Sequence, residues 1–463
     1  MKPKVGLLTF AEQREEFYLK RKPILEEESK NILSAIDNKL HCVATDPIRT
    51  KSDLMKSVEV IRKENVSSII MSLPIWSSPN LPALAAKIFG MPVLLLGNSR
   101  SDSSSIVATL AAGGALDQMD YPHKRIIGST DDAAIIQKII DFCTAAHAKD
   151  RLKGMTFGLF GGRGLSICTT TADPAQWQSL FGIDIEHIDQ MEITRIAKNL
   201  DGDDIGQYTE WIKANFGKVE YDKDSFNPDK LELQIRSYLA TKKIIKDMDL
   251  DFIGVKCQPE MSDHYVLQCL SQMILNDPYD ADGPKEPIVS SCEADHDGAL
   301  TMQILKLLSG SKPTVLLDVR NVREKEFIGA NCGSIPSWYA NYSQEPAENL
   351  KDVHLIPHVF GKAGGGAVQF VSGDKEITLA RLCRKNGKYW MAILKGSITK
   401  KPREELRKST WSFPHAFIKV DFDRDEFLNS FGSNHIHVGA GDLVGRLVEF
   451  CELIGVDHKI YSR

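Results

Sequence analysis

The run Val5-Gly6-Leu7-Leu8-Thr9-Phe10 is short and almost wholly apolar, which is typical of a strand buried on both faces of a sheet. Residues 12–40, which follow this run, carry many charges at helical spacing. Four more apolar runs continue the alternation, with helical segments such as 131–147 among them: residues 41–45, 68–73, 92–96 and 125–127. Strands that alternate with helices predict a parallel sheet covered by helices on both faces.

The same alternation begins again after the charged stretch 148–153. Its predicted strands are residues 155–160, 252–256, 288–292 and 314–319, and its predicted helices are residues 203–216, 229–246 and 298–308. These segments predict a second α/β domain with a parallel sheet.

After about residue 335 the pattern becomes β-rich. Residues 368–371, 377–383 and 389–393 are predicted strands, and Asn386-Gly387 between the last two is a strong hairpin signal. A helical pattern returns at residues 442–453. The sequence therefore predicts an α/β protein with two Rossmann-like domains and a β-rich, barrel-like C-terminal domain. The predicted boundaries are 1–152 for the N-terminal domain, 153–334 for the domain with the two acids described below, and 335–463 for the C-terminal domain.

The composition is that of an ordinary globular protein. The 463 residues carry a net charge of −5, with 42% hydrophobic and 26% charged residues, so nothing indicates a nucleic-acid or membrane surface. No apolar run approaches the roughly 20 residues that span a bilayer. The nine cysteines are scattered without a C-x-x-C pair, and an odd count argues against a disulfide framework. These features predict a cytoplasmic protein with reduced thiols.

Polar side chains follow several predicted strands at the point where each strand ends. In an open parallel sheet, ligands bind beyond the carboxyl ends of the strands. The residues found there are an arginine, an indole, an amide and two carboxylates: Arg14, Trp76, Gln258, Glu293 and Asp318. This mixture suits a polyhydroxylated ligand, because it offers hydrogen bonds to hydroxyls, a flat apolar face and ligands for a cation.

Glu293, Asp318 and the distant His435 indicate a site for one hard divalent cation. Such a cation would assist chemistry on an oxygen-rich substrate. Each residue also has a structural alternative. An acid before a predicted helix, as at Glu293, is typical of a helix cap, and a lone histidine is more often a hydrogen-bonded core residue. His437 would share a strand face with His435 and is the alternative ligand.

The glycine-rich run 161–164 follows a predicted strand but does not match the dinucleotide-binding pattern, because Ile167 stands where the third glycine belongs. We expect instead a tight turn that brings backbone close to a ligand or to another domain.

Four segments taken together resemble the L-fucose isomerase family. Residues 292–303 resemble the segment with the first acid of that family, and residues 313–320 resemble the segment with its second acid. Residues 257–262 resemble its glutamine loop on the substrate side. Residues 432–435 resemble the segment that carries its metal-binding histidine. The similarity is spread over most of the chain, and the joint spacing is more specific than any single segment.

The resemblance implies two α/β domains, a β-rich C-terminal domain and a metal-dependent aldose–ketose isomerase. Its substrate would be a monosaccharide like fucose or arabinose, converted through an enediol. Glu293, Asp318 and His435 would bind Mn²⁺, with Mg²⁺ or Co²⁺ as alternatives, and the two carboxylates would also shuttle protons. The substrate-binding residues would be Arg14, Trp76, Gln258, Trp411 and Asn434.

The resemblance also implies a homo-oligomer, a hexamer or a trimer, whose active sites are shared between subunits, with Trp76 reaching into a neighbouring site. A fold does not determine a function, so two other classes stay open. One is a non-catalytic sugar sensor, and the other is a different metal-assisted reaction on a sugar derivative, such as dehydration or aldol cleavage.

Overall fold

The computed structural model describes residues 2–463, which divide into two compact units. The described residues up to Arg151, together with Gly445–Gly455, form the first unit, and Leu152–Val444 with Val456–Arg463 form the second. The predicted division into three domains stays a prediction. No helix among residues 2–463 has the length and apolar content needed to cross a membrane. The nine cysteines are free thiols.

The first unit contains a five-stranded parallel sheet in the order β2-β1-β3-β4-β5, as the opening run predicts. Its strands are β1 (Lys4–Thr9), β2 (His41–Ala44), β3 (Ser68–Ser72), β4 (Val93–Gly97) and β5 (His123–Ile127). Its helices in this part of the chain are α1 (Glu15–Ile36), α2 (Lys51–Arg62), α3 (Asn80–Phe89), α4 (Ser105–Gln118) and α5 (Ala133–Leu152).

Alternate residues of the first strand enter two different cores. Val5 and Leu7 belong to one apolar cluster, whereas Leu8 belongs to another, and each is 0–1% exposed. Successive side chains of a strand point to opposite faces of its sheet. Helices therefore cover both faces, which explains why the run is apolar throughout rather than alternating.

The second unit begins with a four-stranded parallel sheet in the order β12-β9-β6-β7. The strands of this stretch are β6 (Thr156–Phe160), β7 (Asp184–Ile188), β8 (Lys218–Val219), β9 (Phe252–Val255), β10 (Tyr279–Asp280), β11 (Gly283–Pro284) and β12 (Ser290–Cys292). Its helices are α6 (Pro174–Phe181), α7 (Met191–Ala197), α8 (Gly202–Asn215), α9 (Pro228–Asp247), α10 (Glu260–His264), α11 (Cys269–Asn276) and α12 (His296–Ser309).

A closed antiparallel barrel follows in the same unit. Its six strands pair in the order β17-β20-β13-β14-β19-β18, and β18 pairs with β17 to close the ring. The elements of this stretch are β13 (Val315–Val322), β14 (Glu326–Ala330), α13 (Pro346–Leu350), β15 (His354–Pro357), β16 (Gly366–Gln369), β17 (Lys375–Lys385), β18 (Lys388–Ile398), β19 (His415–Lys419), α14 (Arg424–Ser430) and β20 (His435–Ala440). The predicted α/β class with a barrel-like C-terminal region is confirmed.

The predicted hairpin at Asn386-Gly387 joins β17 to β18. Both residues have positive φ, at 52° and 75°, which is the backbone of a two-residue type I′ turn. Two elements end the chain, namely α15 (Val444–Ile454) and β21 (Asp457–Ile460). Helix α15 belongs to the first unit, where Lys124 of β5 lies 2.9 Å from the carboxylates of both Glu449 and Glu452.

The placement of residues 314–319 in the parallel sheet is wrong. They belong to β13, which pairs antiparallel with β14 and β20 inside the barrel. A short apolar run is typical of any buried strand, so the run itself carries no information on the direction of its neighbours. Of its two antiparallel partners, β14 follows it directly along the chain, and β20 lies more than one hundred residues further on.

Candidate active site

Glu293 lies at the carboxyl end of β12 in an unusual backbone conformation. Both Glu293 and Ala294 have positive φ, at 58° and 52°, although neither is glycine. Such residues cost on the order of 1–3 kcal/mol each and cluster at functional sites. Gly164 packs directly on this turn, because a Cβ at that position would come within 2.8 Å of the carbonyl oxygen of Glu293. The close backbone approach expected of the glycine-rich run is therefore made to the turn that carries Glu293.

The helix-cap alternative for Glu293 is wrong, because Asp295 is the N-cap of α12. The Asp295 carboxylate accepts a hydrogen bond of 2.9 Å from the backbone N–H of Gly298. The Glu293 side chain is free of that role. Its Oε2 is buried and accepts no hydrogen bond from the residues that the structure describes. A buried carboxylate oxygen in this state is suited to a cation.

Asp318 and His435 lie side by side in the barrel wall, as directly paired residues of the neighbouring strands β13 and β20. Nε2 of His435 lies 3.5 Å from Oδ1 of Asp318 and 3.2 Å from Oε2 of Glu293. The imidazole is fully buried, whereas the Glu293 and Asp318 side chains are 14% and 29% exposed. The three residues that the sequence predicts as metal ligands therefore meet around one imidazole nitrogen, although Asp318 lies inside a barrel strand and not at the tip of a parallel one.

A buried ion pair orients the imidazole. Oδ2 of Asp295 accepts hydrogen bonds from Nδ1 of His435 at 2.7 Å and from Nη1 of Arg381 at 2.5 Å, and all three side chains are at most 1% exposed. Because Nδ1 donates to Asp295, Nε2 is the nitrogen left to face Glu293 and Asp318. An imidazole held by a carboxylate through one nitrogen is typical of metal-binding histidines.

The same contacts determine the protonation of His435. Burial disfavours the charged imidazolium, but the hydrogen bond to Asp295 and the nearby carboxylates of Asp318 and Glu293 outweigh burial and raise the pKa of His435 well above its usual range. A proton on Nε2 therefore neutralises part of the carboxylate charge around it. A cation at this point would take the place of that proton.

The donor set fits a hard divalent cation. Two carboxylates and one imidazole suit Mn²⁺ or Mg²⁺ better than a thiolate-seeking metal. Oε2 of Glu293 and Nε2 of His435 are both buried without a hydrogen-bond partner among residues 2–463. Among residues 2–463, no group of three His, Cys, Asp or Glu side chains is arranged around a common point as metal ligands. The Glu293 and Asp318 carboxylates lie instead against the imidazole of His435.

His437 lies on the same strand as His435 and is also fully buried. Neither ring nitrogen of His437 has a hydrogen-bond partner among the described side chains. Burial, and then the positive charge of Arg381, lower the pKa of His437 well below its usual range, so this ring is neutral. The contacts of His435 with both carboxylates favour His435 as the ligand.

Gln258 and Asn434 flank these residues. Gln258 follows β9, which pairs with β12, so Gln258 and Glu293 come after the carboxyl ends of neighbouring parallel strands. Asn434 directly precedes His435, and its backbone carbonyl accepts a hydrogen bond of 2.9 Å from the N–H of Val319. Both residues thus come from segments next to those that carry the candidate ligands, and their contact with a substrate stays a prediction.

A cavity of about 470 Å³ opens beside Asp318 and Asn434. Trp411 packs against the apolar cluster that contains Ile328 and Phe417, and these two residues line the cavity. The indole ring is half-buried, and the guanidinium carbon of Arg407 lies 3.9 Å from the ring centroid. The cavity is large enough for a monosaccharide and contains the side chain of one candidate ligand.

Arg14 and Trp76 lie in the first unit, after β1 and β3. The strand order 2-1-3-4-5 reverses between these two strands, which is where doubly wound sheets bind ligands. Arg14 is paired with Glu12 at 2.8 Å, and its side chain is 62% exposed. Trp76 is half-buried against the apolar core. A contact of either residue with Glu293, Asp318 or His435 stays a prediction.

Asp295 and Arg381 are the site residues that sequence reasoning missed. Asp295 lies within the segment 292–303 that resembles the family, but no pattern in that segment distinguishes it from its neighbours. Arg381 stands out in the sequence, because it is the one charged residue in the otherwise apolar or small run 377–383. A charge in the middle of a buried strand is retained only when it is paired.

Comparison with known proteins gives the family to which this chain belongs. The model of the first N-terminal domain of L-fucose isomerase matches residues 2–154, and the model of its C-terminal domain matches residues 329–461. The chain therefore belongs to the L-fucose isomerase family, which is a family of aldose–ketose isomerases.

Its relatives carry two different names. A sulfoquinovose isomerase of Priestia megaterium is 19% identical over 90% of this chain and 91% of its own length. L-fucose isomerases of Vibrio vulnificus and Escherichia coli are 22% and 24% identical over 63% and 62% of this chain. The chain matches only about half of the length of those two L-fucose isomerases, at 55% and 54%.

Proposed function

We propose that this protein is a metal-dependent isomerase that interconverts an aldose and a ketose of a fucose- or arabinose-like sugar through an enediol. The observation that carries the proposal is the meeting of Glu293 and Asp318 at Nε2 of His435, with a buried Glu293 oxygen that has no hydrogen-bond partner among the described residues. The family to which the chain belongs supports the isomerase class.

The reaction moves one proton between C1 and C2 of the sugar and another between the oxygens on those carbons. The C–H beside a carbonyl is only weakly acidic, so its removal needs a base and stabilisation of the enediolate. Mn²⁺, or Mg²⁺ or Co²⁺ in its place, would supply that stabilisation as a Lewis acid held by Glu293, Asp318 and His435.

Side chains of the protein transfer the protons and bind the sugar. Glu293 and Asp318 accept and return the protons, since carboxylates placed beside the reacting carbons are general bases. The strained turn at Glu293 and the barrel register of Asp318 fix both carboxylates before substrate arrives. Gln258 and Asn434 bind sugar hydroxyls, Trp411 bounds the sugar-binding cavity, and Arg14 anchors the distal end of the open-chain sugar. A homohexamer or homotrimer, with Trp76 of one subunit at the site of the next, completes the proposal.

Removal of the imidazole tests the metal centre. We expect His435→Ala to lower the affinity for Mn²⁺ by at least about 10- to 100-fold, because even partners outside the ligand set contribute that much. The measurement is the metal content of the purified protein by elemental analysis, followed by Mn²⁺ titration calorimetry. His437→Ala is the matched control, since it removes a buried imidazole from the same strand. Metal content that is unchanged in His435→Ala and lost in His437→Ala would transfer the assignment to His437.

A further inference from the structure

The cavity beside Asp318 contains several cationic side chains, which a neutral sugar does not require. Four of the residues that line it are basic: Arg320, Arg323, Lys401 and Lys408. Its carboxylates besides Asp318 are Glu326 and Glu405. Hydroxyl groups are bound by amides, hydroxyls and carboxylates, and they do not require a concentration of positive charge.

Three of these cations are already paired. Glu326 lies 3.1 Å from Arg323 and 3.4 Å from Lys401, and Glu405 lies 2.5 Å from Lys408. Arg320 differs, because among residues 2–463 no carboxylate pairs with it. Its guanidinium donates one hydrogen bond of 2.9 Å, to the Thr410 hydroxyl. Most of its five N–H donors are therefore free for a ligand.

The position of Arg320 relates it to the reacting end of the sugar. It lies two residues after Asp318 on β13, at the irregularity where the pairing with β14 shifts. Two residues of a strand span about 7 Å, which is comparable to the length of the carbon chain of a hexose. A sugar with C1 and C2 at Asp318 that extends along β13 would therefore have its terminal carbon near Arg320.

We infer that the substrate is a sugar whose terminal carbon carries an anionic group, and that Arg320, in the place proposed above for Arg14, is the residue that binds this group. The inference rests on the proposed function, because Asp318 is taken as the reacting end. A planar guanidinium fits two oxygens of a sulfonate, phosphate or carboxylate at once. Glu326 and Glu405 are each paired with a neighbouring cation, so neither carboxylate is left unpaired to repel such a group.

The test compares hexoses that differ only at C6: the neutral 6-deoxy sugar, the 6-sulfonate, the 6-phosphate and the 6-carboxylate. We expect kcat/KM to be highest for one of the anionic sugars and to fall as salt is raised, because exposed charges are screened. Arg320→Gln should raise the KM for that sugar by on the order of 10- to 100-fold, since one partner of a charge-assisted hydrogen bond is lost. The neutral sugar should keep its rate in Arg320→Gln.

Arg424→Gln is the matched control, because Arg424 is exposed and does not line the cavity. Both variants are checked by thermal unfolding, which a change at an exposed arginine should leave unaltered. Equal kcat/KM for neutral and anionic sugars, with no effect of Arg320→Gln, would overturn the inference while isomerisation itself persisted.

A failure of the proposed function has a different signature. If no sugar of the series is isomerised, the same sugars are titrated into the intact protein by calorimetry. Binding of an anionic sugar that Arg320→Gln abolishes would support the inference without the reaction. Binding of the neutral sugar alone, or of none, would overturn it.

Discussion

Glu293→Gln is expected to lower kcat by about 10²- to 10⁴-fold at saturating Mn²⁺, which is the range for loss of a general base. The substitution keeps the size and shape of the side chain and removes its charge. Glutamine can occupy the strained turn at the end of β12, so the fold should persist. The measurement is the initial rate of ketose formation together with metal content, because a lower occupancy would also reduce the rate.

Glu376→Gln is the control for this substitution. Glu376 is an exposed barrel residue that pairs with Lys395, and its loss should leave kcat unchanged. A near wild-type rate in Glu293→Gln would show that Glu293 takes no part in the chemistry. Asp318 would then remain as the only candidate base among the three predicted ligands.

The second large effect concerns stability. Arg381→Met should lower the free energy of unfolding by about 3–5 kcal/mol, because it leaves the carboxylate of Asp295 buried beside one imidazole instead of between two cations. It also leaves the backbone carbonyl of Thr169 without the 2.7 Å hydrogen bond that Arg381 donates. The measurement is urea unfolding monitored by circular dichroism.

A double variant separates the charge from the packing. Arg381→Met with Asp295→Asn removes both members of the ion pair, and asparagine keeps the N-cap of α12. The double variant should recover part of the lost stability, since no unpaired buried charge remains. Lys395→Met, at an exposed barrel position, should change stability by less than about 0.5 kcal/mol. A loss in Arg381→Met as small as that of Lys395→Met would contradict the role of the pair.

Patterns within one segment predicted most of the fold correctly. The apolar runs gave the strands of the two parallel sheets except β7, and Asn386-Gly387 gave the hairpin, because burial and turn chemistry act over a few residues. Residues 314–319 show where this fails. Their strand was predicted, but its antiparallel partners β14 and β20 were not, since a run of apolar residues does not specify its neighbours.

Only some of the residues of the candidate site could be predicted from the sequence. Glu293 and His435 were found from a strand end and a family segment, and the structure brings them to 3.2 Å. Asp295 and Arg381 were not found, because their pairing joins positions 86 residues apart. The helix α15 is a similar case. Its helical pattern is visible in the sequence, but its partner Lys124 lies in another part of the chain.

The most direct test of the account is NMR observation of exchange at C2–H in D₂O. A panel of neutral and anionic aldoses and ketoses is incubated with the protein, with and without Mn²⁺. We expect Mn²⁺-dependent incorporation of deuterium at C2 together with formation of the ketose, and loss of both in Glu293→Gln. Absence of exchange with every sugar, in protein shown to contain bound metal, would contradict it.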